Sequence, residues 1–156
     1  MREVNFLSTM HTKPIYILYA DDDTDDCHLF KEALKALPIH TRIDTVKDGG
    51  ELMDFLSNNN AQLPNVLFLD INMPCKNGFE CLTEIKQNEK LKDIPVVMFS
   101  TSNSREKISV LFKSGANVYV HKPSNFSQLV QVINHALPLA VENIYSNNAL
   151  KYILNA

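Results

Sequence analysis

No apolar run in this sequence approaches the roughly 18 residues that a membrane-spanning helix requires. The opening stretch, MREVNFLSTMHTKP, also lacks the continuous apolar core of a secretory signal. Basic residues are not in excess. Fifteen Lys and Arg against 18 Asp and Glu leave a net charge of −3, without the basic footprint that nucleic-acid binding needs. Cysteine is scarce. Cys27, Cys75 and Cys81 form neither an even framework nor a C-x-x-C pair, which argues against a disulfide scaffold and fits reduced thiols in a cytoplasm. The 5 histidines show no metal-ligand spacing and no catalytic triad. Internal repeats, low-complexity tracts and linkers are missing too.

What remains is a chain of 156 residues, 45% hydrophobic and 21% charged, suited to one compact domain with short extensions. Its apolar residues fall into strand-length runs alternating with helix-period segments. Ile15–Ala20 (IYILYA) and Val66–Leu69 (VLFL) are continuous runs, as expected of strands covered on both faces. Thr41–Val46 alternates, Val96–Phe99 follows Pro95, and Val118–Val120 is short. Between these runs, Leu29, Ala33, Ala36 and Leu37 repeat at helical spacing, as do Leu52, Phe55 and Leu56. Phe79, Leu82 and Ile85, then Ile108, Leu111 and Phe112, and finally Phe126, Leu129, Val130, Ile133 and Leu137 mark three more helices. Asp23, Thr24 or Asp25 would cap the first helix, and Pro38 would end it.

Five β–α units in succession imply a doubly wound α/β domain with a five-stranded parallel sheet, because parallel connections require right-handed crossovers. Ligands of such folds gather at the carboxyl ends of the strands. The conspicuous polar residues lie at those ends: Asp21 and Asp22 after the first strand, Asp70 after the third, Ser100 at the end of the fourth, Lys122 after the fifth. Carboxylates converging there repel one another and call for a proton or a cation. Mg²⁺, with its preference for oxygen ligands, suits them. A carboxylate held beside Mg²⁺ and a lysine can attack phosphorus, since both cations neutralise charge on the transferring oxygens. Taken singly, each residue has a plainer reading: a solvated acidic helix start, a capping Asp, a structural Ser, a core Tyr119. Their shared position at one sheet edge outweighs those readings.

Asp21-Asp22 after IYILYA, LFLD-INMP-CKNG around Asp70, Ser100 closing VVMFS, and YVHKP around Lys122 resemble the receiver domain of bacterial response regulators. The resemblance spans about residues 14–138, leaving 1–13 as an N-terminal extension and 139–156 as a C-terminal tail. It implies the flavodoxin-like strand order 2-1-3-4-5 and a stand-alone switch rather than a turnover enzyme. Asp70 would accept a phosphoryl group from a sensor histidine kinase or phosphotransfer protein. Asp22, Asp70 and the backbone carbonyl of Asn72 would hold Mg²⁺, with Asp21 acting through a water. Lys122 would contact the phosphoryl group, through a cis Lys122–Pro123 bond. Ser100 would move toward the aspartyl phosphate and Tyr119 would turn inward, altering a surface over about 106–137 that a downstream protein reads. Serine at position 100 keeps the hydroxyl of the commoner threonine but not its methyl.

Two rivals fit less well. An EF-hand would place Asp21, Asp23, Asp25 and Glu32 on Ca²⁺, but Asp26 stands where the loop needs glycine. An aspartyl phosphatase of the D-x-D-x-T/V type has Asp25 where Thr or Val belongs. Cys75, in the loop after Asp70, is a candidate redox handle set against the commoner role of a small structural hydrophobe. For the tail, an extra turn or helix and a homodimer contact both stay open.

Overall fold

The computed structural model describes residues 13–58, 60–146 and 152–154. Apart from Lys13, the expected N-terminal extension lies outside them. The strands are β1 (Ile15–Ala20), β2 (Thr41–Val46), β3 (Val66–Leu69), β4 (Val96–Ser100), β5 (Val118–His121) and β6 (Tyr152–Leu154). The helices are α1 (Thr24–Lys35), α2 (Gly49–Ser57), α3 (Gly78–Gln87), α4 (Arg105–Lys113) and α5 (Phe126–Ser146). The strands lie in the order β2-β1-β3-β4-β5-β6, and every pairing is parallel. The doubly wound 2-1-3-4-5 core is therefore as expected, and β6 adds a short strand beside β5.

Alternation along each strand divides the core between the two faces of the sheet. Ile15, Ile17, Tyr19, Val66, Phe68, Val97, Phe99, Val118 and Val120 pack on one side, against α1 and α5. Leu18, Ala20, Leu67, Leu69, Val96, Met98 and Tyr119 pack on the other, against α2, α3 and α4. On the first side Tyr19 and Phe30 meet edge-to-face at 4.2 Å between centroids, a favoured aromatic geometry. The edge strand β2 exposes Arg42 and Asp44, charges that discourage further strand pairing.

Local chemistry sets the helix starts. The Asp23 side chain accepts from the amides of Asp25 and Asp26 to cap α1, one of the three residues expected to do so. Asn77 and Glu80 form a reciprocal capping box on α3. Gly115, at φ +110°, follows the end of α4 in a backbone conformation that favours glycine. The last helix does not stop at Pro138 but continues to Ser146. Pro138 offers no N–H to the preceding turn, yet Leu137, Ala140 and Val141 around it are buried in the core, and that packing carries the helix past the break. The tail from residue 139 thus begins as helix and includes β6. Among the described residues, no helix is long and apolar enough to cross a membrane.

Candidate functional site

The hydrogen-bonded ladder runs one residue past the ends of the strands and fixes the site residues at one edge of the sheet. The Asp21 amide donates to the Val46 carbonyl (3.1 Å), that of Asp70 to Ala20 (3.0 Å), and that of Lys122 to Ser100 (2.8 Å). Each of these three residues is therefore held by the backbone of a neighbouring strand. Behind Asp70, Gly78 opens α3 so close that a Cβ there would sit 2.1 Å from the Asp70 carbonyl oxygen. Only glycine admits that approach, and the Gly78 amide donates to the Ile71 carbonyl at 2.7 Å. The loop carrying Asp70 is braced from both sides.

Asp21, Asp22 and Asp70 each offer a carboxylate oxygen, and these oxygens lie within 4.8 Å of one another. Asp21 and Asp70 are buried, while Asp22 is exposed. Such an oxygen-only donor set suits a hard divalent cation. Asp21 is already heavily committed: Oδ2 accepts from the Tyr19 hydroxyl and the Lys122 ammonium, both at 2.8 Å, and Oδ1 accepts from the Asp23 amide at 3.0 Å. Asp22 has the more open carboxylate.

Lys122 is the cation of the pocket. Its Nζ also bonds Asp26 Oδ2 at 2.9 Å and lies 3.7 Å from Asp70 Oδ2. Burial works against its charge, but the bonds to Asp21 and Asp26 and the charge of Asp70 outweigh burial and raise its pKa. Burial is also the main influence on Asp70. Lys122 opposes it and Asp21 adds to it, so the carboxyl is pushed up to about 7. Without a bound cation, Asp70 thus stands near its own titration point at neutral pH, and a divalent ion beside it favours the ionised form.

Ser100 is completely buried at the end of β4, its Oγ accepting from the Ser102 amide at 3.2 Å. Tyr119 is buried on the neighbouring strand, and its hydroxyl donates to the Ser102 carbonyl. Asn72 lies in the exposed loop two residues past Asp70. The Lys122–Pro123 peptide bond is trans, for there is no cis bond among the described residues. The expected cis bond is therefore corrected to the isomer that X–Pro bonds favour by about 0.5–1 kcal/mol. Cys75 is exposed and free, so it does not fill a structural hydrophobe's place.

Two participants escaped the sequence reading. Tyr19 belongs to an unbroken apolar run, where its hydroxyl carries no distinguishing signal. Asp26 looks like one more charge at an acidic helix start. Its place in the first turn of α1, directly after the strand end that carries Asp21 and Asp22, is the only hint.

A doubly wound parallel sheet with three carboxylates and a lysine at its carboxyl edge defines a class of α/β proteins whose site suits a divalent cation and a phosphoryl group. The sequence pattern described as "Response regulator receiver domain" matches residues 17–134, and the chain belongs to that family. It is 34% identical over 131 residues to Response regulator Rcp1 of Synechocystis sp., an alignment covering 81% of this chain and 89% of that protein. Among solved structures, it is similar to the phosphorylated cyanobacterial phytochrome response regulator RcpA, with a TM-score of 0.74 at 34% identity, covering 86% of this chain and 96% of that one. The Mn²⁺-bound form of Rcp1 is similar at a TM-score of 0.72 and 33% identity, over 85% and 94% of the two chains. The chain is a response regulator of two-component signal transduction, a phosphoacceptor switch.

Proposed function

We propose that Asp70 is the phosphoacceptor of this switch and that Mg²⁺ is its metal. One observation carries the reading: the Asp70 carboxylate shares a pocket with Asp21, Asp22 and Lys122, residues drawn from three strand ends. Asp22, Asp70 and the Asn72 carbonyl would hold Mg²⁺ directly and Asp21 through a water. When bound, the ion neutralises charge on the transferring oxygens. A carboxylate oxygen of Asp70 attacks phosphorus as the P–N bond of a phosphohistidine breaks. The electron pair leaves with the imidazole nitrogen, which takes up a proton. Lys122 donates to a phosphoryl oxygen.

The new group carries roughly −1.5 to −2 charges. Ser100 moves its hydroxyl toward it, and Tyr119 follows, leaving its bond to Ser102. These shifts bias the surface over 106–137, which faces a downstream protein or a second copy of the chain. The domain assists both the gain and the loss of its phosphoryl group, with Asn72 and Ser102 setting the lifetime. We place its working unit at residues 14–138, with 1–13 as an N-terminal extension and 139–156 as a C-terminal tail whose first residues continue α5 along the core. Its three free thiols suit the cytoplasm.

Acetyl phosphate or phosphoramidate with Mg²⁺ should add one phosphoryl group per chain by intact mass, and Asp70→Asn should abolish it. Labelling that persists in the variant would refute the assignment.

A further inference from the structure

The Lys122 ammonium has three N–H donors, and two are taken. One goes to Asp21 at 2.8 Å and one to Asp26 at 2.9 Å, while Asp70 at 3.7 Å is beyond a normal hydrogen bond. The two carboxylates are not equivalent. The Asp21 side chain is 0% exposed and is held by Tyr19 and the Asp23 amide as well. The Asp26 side chain is 36% exposed, at the rim of the pocket. Helix capping does not require it either, because the Asp23 carboxylate serves the first-turn amides, including that of Asp26. What holds the Asp26 carboxylate in place is Lys122.

We infer that Asp26 is a latch on Lys122: a positioning residue that occupies one ammonium donor in the unphosphorylated chain and gives it up to the phosphoryl group. This inference rests on the assignment of Asp70 as phosphoacceptor. Its physical basis is an exchange of partners. A solvated carboxylate at the rim bonds lysine weakly, whereas a phosphoryl group with two negative charges at the buried end of the same ammonium bonds it more strongly. Asp21, buried and bonded three ways, stays in place. Asp26 also presents a negative charge to each arriving anionic donor. It therefore restrains phosphorylation and favours loss of the phosphoryl group.

The test measures labelling of the full chain by phosphoramidate and acetyl phosphate with Mg²⁺, together with the decay of the label. Asp26→Asn should label about two- to fivefold faster and hold its label longer, the range an exposed ion pair supports. Asp26→Glu, which keeps the charge, should restore the wild-type rate. Raising the salt should shrink the difference by screening the pair, a response that a merely structural role would not give. If the wild type labels at Asp70 but Asp26→Asn labels at the same rate or more slowly, the latch is overturned and the phosphoacceptor assignment stands. If the wild type does not label, both fall. A crystal of the wild type with Mg²⁺ and beryllofluoride tests the same point without any substitution. Lys122 should have parted from Asp26, and an intact 2.9 Å contact would overturn the latch.

Discussion

Lys122 and Asp21, 101 residues apart in sequence, share a 2.8 Å hydrogen bond at the carboxyl edge of the sheet. The carboxylate is fully buried and the lysine nearly so. Removing the cation leaves Asp21 without its charge partner, beside Asp70. Lys122→Ala is expected to cost on the order of 3 kcal/mol in metal-free denaturant melts. Added Mg²⁺ should recover part of that, because it supplies the missing positive charge. A loss no larger than that of an exposed ion pair, about 1 kcal/mol or less, would show that Lys122 does not hold the pocket together.

Asp22 is the exposed member of the carboxylate cluster. Asp22→Ala should therefore leave stability within about 0.5 kcal/mol. Mg²⁺ affinity, read by calorimetric titration, should nevertheless fall about tenfold or more. Unchanged affinity would remove Asp22 from the ligand set.

Burial, opposed by Lys122 and reinforced by Asp21, lifts the Asp70 carboxyl from 3.8 to about 7. The folded chain then binds this proton more tightly than the unfolded chain does. The resulting stability is complete below about pH 3.8 and is lost as pH rises through about 7. In metal-free protein, urea midpoints should carry this downward contribution across that window, and Asp70→Asn should remove it. Mg²⁺ should oppose it by favouring the ionised form. Identical pH slopes for wild type and variant would contradict the shift.

A Cβ at position 78 would meet the Asp70 carbonyl oxygen at 2.1 Å and the Ile71 Cα at 2.8 Å, both backbone atoms that yield little. Gly78→Ala should cost about 1–3 kcal/mol or more and slow labelling at Asp70, because the loop must move. The thermal midpoint and the labelling rate are the two readouts. A variant with wild-type values of both would show that the close approach is dispensable.

The order of strands and helices was readable because burial imposes a period: unbroken apolar runs for covered strands, a 3.6-residue repeat for helices. The site was readable for the same reason. Each unbroken run ends where its strand reaches the sheet edge, so Asp70 after VLFL and Ser100 closing VVMFS declare their places. Other features depend on packing that no local pattern encodes. The continuation of α5 through Pro138 rests on core contacts around Leu137 and Ala140, and β6 on pairing with β5.

Composition, periodicity and the residues at strand ends determined a five-stranded parallel core with acidic residues and a lysine at one edge, because hydrophobic burial acts on local pattern; its order, 2-1-3-4-5, followed from the family resemblance. Only the tertiary structure decided how the lysine divides its donors among Asp21, Asp26 and the more distant Asp70. It also decided that the Tyr19 hydroxyl supports Asp21 and that Lys122–Pro123 is trans. The division of the lysine's donors turns on a difference of about an ångström between groups 101 residues apart and more closely spaced ones, which the packed interior sets and the linear pattern does not record.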